Sequence, residues 1–417
     1  MRLLYTIGIR FYTLCVRLAA LFGHRNAARM VWGWSEWRSA ILQLDRDRPV
    51  AWFHAASLGE FEQARPVLEA FRKAHPEYRV LLTFFSPSGY EVRKNYPLAE
   101  AVCYLPPDLP SNARKLLNAT HPSVVLFVKY EFWFNYLGEL RRRQIPTYIF
   151  SAIFRPGQYF FKGYGWWFRR QLGCFTHLFV QNEESLSLLR SHGFANCTLA
   201  GDTRFDRVHQ IAEAAERDEV VERWMAAHEG AKIVVAGSSW PPDEEILARY
   251  AAKHPDIRFI LAPHVIAEEH LSQIAILFPH SVRYSAVKDG AHLPDKELSE
   301  AGTLVIDNIG LLSKLYRYAT IAYIGGGFGV GIHTIMEAVT FGKPVFFGPN
   351  YGKFKEAHDI IACGGGWCVG GADDLEGGAF HRLLTSPGDL DKASLACQDY
   401  MRDNLGSTDK ILGAIEI

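Results

Sequence analysis

Two turns of this sequence place a glutamate where an apolar run ends, and both could carry acid–base chemistry. Glu60 ends the stretch "HAASLGE", which follows the apolar run 49–53. Glu131 lies in "VKYEFWFN", which follows the run 123–128. Two carboxylates at neighbouring strand ends can divide proton abstraction and substrate positioning between them. The plainer interpretation is that each carboxylate is favoured near a helix N-terminus by the helix dipole.

The residues around Glu60 predict how it is presented. Proline is tolerated in the first helical turn, so Pro66 predicts a helix that begins near Glu62, with Glu60 in the loop before it. Gly59 has no side chain and leaves room for a ligand beside the backbone. Glu131 is predicted to open the helix after its own strand.

Arg204 and a glycine-rich turn are candidates for binding anions. Arg204 lies between two aspartates in "AGDTRFDRV", where the alternative is a surface ion-pair cluster. The segment 323–349, "YIGGGFGVGIHTIMEAVTFGKPVFFGP", has a strand, a glycine-rich turn and a helix start, so its amides could face a phosphate. Glu337 is predicted in the first or second turn of that helix, where it could accept hydrogen bonds from ribose; the alternative is a helix-start carboxylate beside His333.

The elements that must position these residues are strands alternating with helices. Apolar runs end in turns at 49–55, 79–84, 123–128, 147–153 and 177–181, and again at 232–236, 257–261, 304–306, 320–324 and 344–347. Such alternation indicates parallel sheets covered on both faces. A polar stretch at about 206–230 separates the two series. The sequence therefore predicts two doubly wound α/β domains facing each other across a cleft, with ligands bound beyond the carboxyl ends of the strands.

Composition narrows the function classes. The chain has 417 residues, 48% apolar and 22% charged, with a formal net charge of zero, so no nucleic-acid partner is expected. Its seven cysteines have no metal-ligand spacing, and no zincin, serine hydrolase or D-x-D motif is present. We therefore expect no metal and no cofactor. The glycines do not satisfy G-x-G-x-x-G, which makes a dinucleotide oxidoreductase the weakest candidate.

Residues 1–23 are mostly apolar but contain Arg2, Arg10 and Arg17, spaced to lie near one helix face. This pattern favours a helix that anchors the protein at a membrane surface; the alternative is a helix docked on its own domain. The aromatic and basic segment 157–173 is either a core helix with a basic edge or a surface that contacts lipid headgroups.

The stretches "HAASLGE", "YEFWFN", "GDTRFDRV" and "GIHTIMEA…GKPVFFGP…FKEA" together resemble the 3-deoxy-D-manno-octulosonic acid (Kdo) transferases. The resemblance runs from "LLYTIG" near the start to about residue 360. It implies a GT-B glycosyltransferase with an anchoring helix at 1–23, an acceptor-binding Rossmann-like domain at 24–210 and a CMP-sugar-binding domain at 211–417.

The resemblance also implies roles for particular residues. Glu60 aligns with the proton acceptor of the family, and Glu131 and Arg204 align with residues assigned to transition-state stabilisation. The implied CMP contacts are Pro263, His264, Ile309, Gly310, Leu311, Thr334, Ile335, Met336 and Glu337. The chain departs from the family at His264, where arginine is common, and at Lys129, where an acidic residue is common.

The implied reaction moves Kdo from CMP-Kdo to a glucosamine hydroxyl of the lipid A precursor, with inversion, at the cytoplasmic face of the inner membrane. Two alternatives stay open on the sequence. One is another GT-B enzyme that uses a UDP-sugar, either a transferase or an epimerase. The other is a membrane-bound GT-B scaffold that has lost catalysis.

Overall fold

The chain divides into two α/β units. The computed structural model describes residues 1–42, 44, 47–289 and 295–416. The first unit contains Met1–Arg207 together with the chain from Asn404 onward, and the second contains Val208–Asp403. The predicted second domain, 211–417, is therefore too long at its C-terminal end, because the last residues pack on the first unit.

Helices and strands alternate along the first unit as the apolar runs predict. Its elements are α1 (Arg2–Leu21), α2 (Arg25–Ile41), β1 (Val50–Ala55), α3 (Leu58–Ala74), β2 (Arg79–Phe84), α4 (Pro87–Arg93), β3 (Ala101–Tyr104), α5 (Pro110–Thr120), β4 (Pro122–Val128), α6 (Phe134–Arg142), β5 (Thr147–Ala152), α7 (Trp166–Leu172), β6 (His177–Val180), α8 (Glu183–Ser191), β7 (Cys197–Leu199) and α9 (Thr203–Ala214).

The second unit repeats this architecture. Its elements are α10 (Glu219–Ala226), β8 (Lys232–Ser239), α11 (Pro241–Lys253), β9 (Ile257–Pro263), α12 (Glu268–Leu277), β10 (Ser281–Arg283), α13 (Tyr284–Asp289), α14 (Asp295–Glu300), β11 (Thr303–Val305), α15 (Leu312–Leu315), β12 (Ile321–Ile324), α16 (Met336–Val339), β13 (Val345–Phe347), α17 (Lys355–Ala362), β14 (Gly366–Cys368), α18 (Ala372–Gly377), α19 (Ala379–Thr385) and α20 (Pro387–Asn404). The last helix, α21 (Ser407–Leu412), returns to the first unit.

Each unit is built on a seven-stranded parallel sheet. The strand orders are β3-β2-β1-β4-β5-β6-β7 and β10-β11-β9-β8-β12-β13-β14. In the first sheet Phe53 pairs with Leu82 and Leu126, and all six residues of β1 are buried. Strands that are covered on both faces must be apolar throughout, which explains why continuous apolar runs predicted them.

Two apolar cores lie on the two faces of the first sheet. One contains Trp52 and Phe127 with residues of α2, α5 and α6, and the other contains Phe53 and residues of α3. Ile411 of α21 is fully buried in the second of these cores. The C-terminal helix is therefore part of the packing of the first unit.

Candidate active-site residues in the two units

The candidate residues of the first unit lie where the strand order of its sheet reverses. The chain runs outward from β1 to β2 and β3 and then returns to β4, on the other side of β1. At such a reversal the turns after the two central strands diverge and leave a crevice beyond their carboxyl ends. Glu60 follows β1 and Glu131 follows β4, which pairs directly with β1. The predicted neighbourhood of these two strand ends is confirmed.

Glu60 lies in the first turn of a helix. Helix α3 begins at Leu58, so the predicted start near Glu62 and the predicted loop position of Glu60 are wrong. Pro66 is tolerated inside the helix because it removes only one N–H, while the buried face continues past it. The N-cap residue Ser57 donates a hydrogen bond from its hydroxyl to the Glu60 carboxylate. Their spacing is that of a capping box, which orients the carboxylate at the turn.

The space beside Gly59 is open. A Cβ atom at this position would have only the Ser57 hydroxyl within 4 Å, at 3.9 Å. Packing within the protein therefore does not require a glycine here. This observation supports the prediction that Gly59 leaves room for a ligand next to Glu60.

Glu131 is buried and held from the neighbouring strand. It precedes the first residue of α6, Phe134, by three positions, so the prediction that it opens the helix is wrong. Its Oε2 accepts a hydrogen bond from Trp133 Nε1 at 2.6 Å and lies 2.9 Å from Nε2 of His54 on β1. Sequence reasoning gave His54 no role. The alternation of side chains along β1 could have found it, because His54 lies on the same face of the sheet as Trp52.

Arg204 is positioned by a buried aspartate. Its Nε and Nη2 lie 2.8 and 2.7 Å from Oδ2 of Asp202. The other carboxylate oxygen of Asp202 accepts from Gln63 Nε2 at 3.2 Å. Gln63 follows Glu60 by one turn of α3, so one helix carries Glu60 and helps to position Arg204. Because Asp202 is only 8% exposed, this pair differs from the surface cluster that the sequence left as an alternative.

Left-handed backbone conformations occur near the candidate residues in both units. Lys129, directly after β4, has φ of 64°, and Ser151 and Ser238 both have φ of 53°. The two serines interrupt the pairing register of β5 with β6 and of β8 with β9. Such strain costs about 1–3 kcal/mol at a non-glycine residue and is concentrated at functional sites.

The second unit has a cavity of about 290 Å³ next to its own strand-order reversal, where β8 lies beside β12. Its wall is formed by Ser238, Gly310, Leu312, Ser313, Tyr316, His333, Thr334 and Glu337. Gly310, Thr334 and Glu337 were predicted to contact the nucleotide. The side chains of Ser238, Ser313 and Tyr316 were missed, because nothing in their local sequence indicates that they meet.

The other predicted nucleotide contacts lie outside the lining of this cavity. The His264 ring stacks between Trp240 and His333, with ring centroids 4.8 and 4.7 Å away, so it is one ring removed from the cavity. Pro263 ends β9. Ile309 is 93% exposed and Leu311 is partly exposed. Ile335 and Met336 are buried.

The glycine-rich turn is explained by close backbone packing. The amide of Gly325 donates to the Gly237 carbonyl, and that of Gly326 donates to Asp243 Oδ2, both at 2.9 Å. The amides of Gly329 and Gly331 both donate to the Gly326 carbonyl. A Cβ atom on Gly325 would lie 2.2 Å from the carbonyl oxygen of Ser238. The expectation that these amides face a phosphate is therefore wrong for these four residues.

Burial sets the protonation of the cavity residues. It raises the pKa of Glu337, and it also raises the pKa of Tyr316. Burial, and then the neighbouring His264, lower the pKa of His333, so that its ring is neutral at neutral pH. His333 Nε2 is buried without a hydrogen-bond partner among the described residues. The cavity thus offers uncharged hydrogen-bonding groups and one carboxylate to a ligand.

No three histidine, cysteine, aspartate or glutamate side chains are grouped as metal ligands within the described part of the chain. In the same part, Arg2–Leu21 is the one helix with the length and apolar composition needed to cross a membrane.

The fold belongs to the GT-B-like α/β class. The UDP-GlcNAc 2-epimerase from Neisseria meningitidis bound to UDP-GlcNAc superimposes with a TM-score of 0.59, covering 88% of this chain and 98% of that one, at 17% sequence identity. Identity at this level establishes the fold alone. The predicted class, two doubly wound parallel-sheet domains, is confirmed.

Within this class, the chain is similar to the Kdo transferases. Residues 32–207 match the family described as 3-deoxy-D-manno-octulosonic-acid transferase (kdotransferase). The Chlamydophila psittaci 3-deoxy-D-manno-octulosonic acid transferase is 26% identical over 77% of this chain and 74% of its own length. The Chlamydia pneumoniae transferase of the same name is 27% identical over 79% of this chain and 75% of its own length. The resemblance inferred from the sequence is confirmed.

Proposed function

We propose that this protein transfers Kdo from CMP-Kdo to a glucosamine hydroxyl of a lipid A precursor. The observation that carries the proposal is that the family match, residues 32–207, contains Glu60, Glu131 and Arg204. Glu60 and Glu131 follow the paired strands β1 and β4 at the switch point of the first sheet. Asp202, which holds Arg204, is hydrogen-bonded to Gln63 in the helix that carries Glu60. A glycosyltransferase needs both acid–base and charge-stabilising groups at one place.

In the proposed mechanism the Glu60 carboxylate takes the proton of the acceptor hydroxyl. The oxygen then forms a bond to the anomeric carbon of Kdo while the bond from that carbon to the CMP phosphate oxygen breaks. CMP leaves with the bonding electrons, and the single displacement inverts the anomeric centre. Arg204 and Glu131 stabilise the charges that develop, negative on the phosphate and positive on the sugar.

The second unit is proposed to bind the CMP part of the donor in the cavity beside β8. Glu337 would accept hydrogen bonds from the ribose hydroxyls, and His333 and Ser313 offer further partners to the nucleoside. Kdo itself carries a carboxylate, for which Lys129 and Arg155 are the candidate cations, since each follows a strand of the first sheet. The left-handed conformation of Lys129 supports its assignment.

The N-terminal helix is proposed to hold the protein at the cytoplasmic face of the inner membrane. Thr6 and Thr13 of α1 are buried, whereas Leu3, Leu4 and Phe11 are 72%, 63% and 68% exposed. A helix docked on a water-soluble domain shows the reverse pattern, with its apolar face inward. The outward apolar face of α1 therefore fits a lipid environment, and the exposed Tyr164 and Trp166 fit the membrane interface.

The test is mass spectrometry of tetraacyl lipid A precursor incubated with CMP-Kdo and each of three proteins. The parent adds Kdo, and Glu60→Gln is expected to lower the rate by about 10²–10⁴-fold, the usual contribution of a general base. CMP affinity should be unchanged, because Glu60 lies in the other unit. Glu62→Gln is the matched control, two residues further along α3 and therefore on another face of the helix. A Glu60→Gln rate within threefold of the parent would remove the assignment and favour a different base or the non-catalytic scaffold.

The alternative function is that of a GT-B enzyme that uses a UDP-sugar. Calorimetric titration separates the two donors: CMP is expected to bind and UDP to bind at least tenfold more weakly. Tighter binding of UDP would favour a UDP-sugar transferase or epimerase.

A further inference from the structure

His54 lies at the centre of a buried polar network that the proposed mechanism does not use. Its side chain has no exposed surface and sits on β1 between the ends of β2 and β4. Nδ1 lies 2.8 Å from the hydroxyl and 3.1 Å from the carbonyl oxygen of Thr83. Nε2 lies 2.9 Å from Glu131 Oε2 and 3.0 Å from Trp133 Nε1.

These contacts assign the protons of the imidazole ring. A carbonyl oxygen can only accept, so the contact of Nδ1 with the Thr83 carbonyl places a proton on Nδ1. The Thr83 hydroxyl accepts a hydrogen bond from Trp52 Nε1 at 2.8 Å, and so has a donor of its own. Trp133 has a single N–H, and the shorter of its two contacts, 2.6 Å against 3.0 Å, assigns it to Glu131 Oε2 rather than to His54 Nε2. The contact between Nε2 and Glu131 Oε2 then requires a second proton, located between those two atoms. His54 and Glu131 therefore form a dyad that shares one proton.

The dyad carries no net charge wherever that proton sits. It is either an imidazolium beside a carboxylate or a neutral imidazole beside a carboxylic acid. Neutrality explains how two titratable groups tolerate burial, since an unpaired charge in this position would be costly. Among the described residues, the other carboxyl oxygen of Glu131, Oε1, has no hydrogen-bond partner.

We propose that His54 is a positioning residue that fixes Glu131 and adjusts its charge during transfer, an inference that rests on the proposed function. Oε2 is held by His54 and Trp133, which leaves Oε1 to face the reacting sugar. Positive charge builds on the sugar ring as the bond to CMP breaks. The shared proton then moves from Oε2 to Nε2, so Glu131 gains a full negative charge when the sugar needs it. The proton returns once the new glycosidic bond has formed.

A pair of amide variants tests this role. Glutamine reaches roughly the position of Nε2 and can donate an N–H to Glu131, whereas asparagine reaches only as far as Nδ1. His54→Asn is expected to lower kcat by about 10- to 100-fold, the usual loss when a residue that orients a reacting group is changed. His54→Gln should recover about tenfold of that loss, since it restores the hydrogen bond. The affinity for CMP should be that of the parent in both variants.

His177→Asn is the matched control, because His177 starts β6 of the same sheet, at the opposite end from the candidate residues. It should keep the parent kcat. The proposal is overturned if the kcat of His54→Asn stays within threefold of the parent value. It is also overturned if the Asn and Gln variants lose equal activity in proportion to a fall in their melting temperatures, because that result indicates a purely structural role.

A second readout does not depend on substrate. Nitrogen-15 spectra of protein labelled at histidine, with His54 identified by the loss of its signals in His54→Gln, should show at pH 7.5 a protonated Nδ1 and an Nε2 displaced from the shift of an unprotonated nitrogen by the shared proton. An unprotonated Nδ1, or an Nε2 with the shift of an unprotonated nitrogen, overturns the dyad. If the parent transfers no Kdo but both nitrogens have the expected shifts, the proposed function fails and the dyad stands. If the parent transfers Kdo and His54→Asn is fully active, the dyad's role fails and the proposed function stands.

Discussion

Three glutamates of the same chemical type occupy different environments, and the environment separates their roles. Glu60 is half-buried beside the Ser57 hydroxyl, and Glu131 is buried against His54. Glu337 lines the cavity of the second unit, where burial raises its pKa. These environments fit the roles proposed above: proton abstraction for Glu60, charge adjustment for Glu131 and ribose binding for Glu337.

The raised pKa of Glu337 predicts that the proposed binding of CMP depends on pH. The ionised carboxylate is the better acceptor for ribose hydroxyls, and it forms only above a pKa that burial holds higher than usual. CMP affinity is therefore expected to rise with pH through that pKa, and to fall at acid pH sooner than an ordinary glutamate would allow. Calorimetry at pH 5.5 and pH 8 measures the change.

Glu337→Gln provides the control for this pH dependence. An amide does not titrate, so the variant should bind CMP more weakly than the parent at pH 8 and lose the rise with pH that the carboxylate causes. An unchanged pH dependence in the variant would assign the effect to another group, such as His333, which lines the same cavity.

Helix α1 is attached to the first unit through polar side chains. Tyr5 donates to Asp108 Oδ2 at 2.7 Å, and Arg2 Nε donates to Asn135 Oδ1 at 3.1 Å. Asp108 also accepts from the amides of Asn135 and Tyr136, which begin α6. Polar contacts of Tyr5 and Arg2 therefore attach the start of α1 to the first unit, while Leu3, Leu4 and Phe11 stay exposed.

Loss of the Tyr5 hydroxyl should loosen this attachment. Burial raises the pKa of Asp108 to about 6, above its ordinary value of 3.8, so its ionisation weakens the fold as the pH rises through about 6. The Tyr5 hydrogen bond opposes that effect because it stabilises the ionised form. Tyr5→Phe is thus expected to cost about 1–3 kcal/mol above pH 6 and less at pH 5.

Melting temperatures at pH 5 and pH 8, with hydrogen exchange of residues 2–21, measure this loss. The control is Tyr12→Phe, since the Tyr12 hydroxyl has no hydrogen-bond partner among the described residues while its ring stacks on Phe85. Equal effects of the two substitutions would show that the Tyr5 contact does not hold the helix.

The outward face of α1 should control membrane binding. Phe11 and Leu18 are 68% and 44% exposed, so a glutamate at each position leaves the protein core unchanged but puts charge into the lipid-facing side. The double variant Phe11→Glu/Leu18→Glu is expected to lose at least tenfold in partitioning to anionic vesicles, measured by co-sedimentation. Cys15→Ser, also exposed, is the control. Unchanged partitioning of the double variant would assign membrane binding to other surfaces.

On the scale of the whole molecule, the chain passes from the first unit to the second after Arg207, and from Asn404 onward it belongs to the first unit again. Asp206 accepts from the amides of Gly406 and Thr408 at 2.8 and 2.7 Å, and from the Thr408 hydroxyl at 2.7 Å. The amide of Glu416 donates to the Tyr148 hydroxyl at 3.0 Å. The last residues therefore complete the hydrogen bonding and the core of the first unit.

Asp206→Ala should destabilise the first unit and spare the second. It leaves buried backbone donors without a partner, which costs about 1–3 kcal/mol. Hydrogen exchange should increase in α21 and in α3, against which α21 packs, and remain unchanged in β8 and β9. The control is Glu213→Ala, an exposed position in the same helix as Asp206. Equal increases in hydrogen exchange in both units would contradict the prediction that the Asp206 contacts stabilise the first unit alone.

The apolar runs of the sequence were sufficient to predict the ten central strands, because a strand covered on both faces must be apolar along its whole length. The four missed strands, β3, β7, β10 and β14, are the edge strands of the two sheets, each three or four residues long. Of these, β7, β10 and β14 are only partly buried, so they lack the continuous apolar run that predicted the central strands. The start of α3 was misplaced because Pro66 was given more weight than the apolar face that continues through it.

The sequence by itself determined the class of protein: the alternation of strands and helices, the carboxylates at strand ends and the motifs of the Kdo transferase family are local in the chain. The tertiary structure alone decided which residues meet. His54 and Glu131 are 77 positions apart and come together because β1 pairs with β4. Ser238 and Glu337 share one cavity because β8 and β12 are neighbours. Contacts of this kind depend on strand order, which no local pattern of residues specifies.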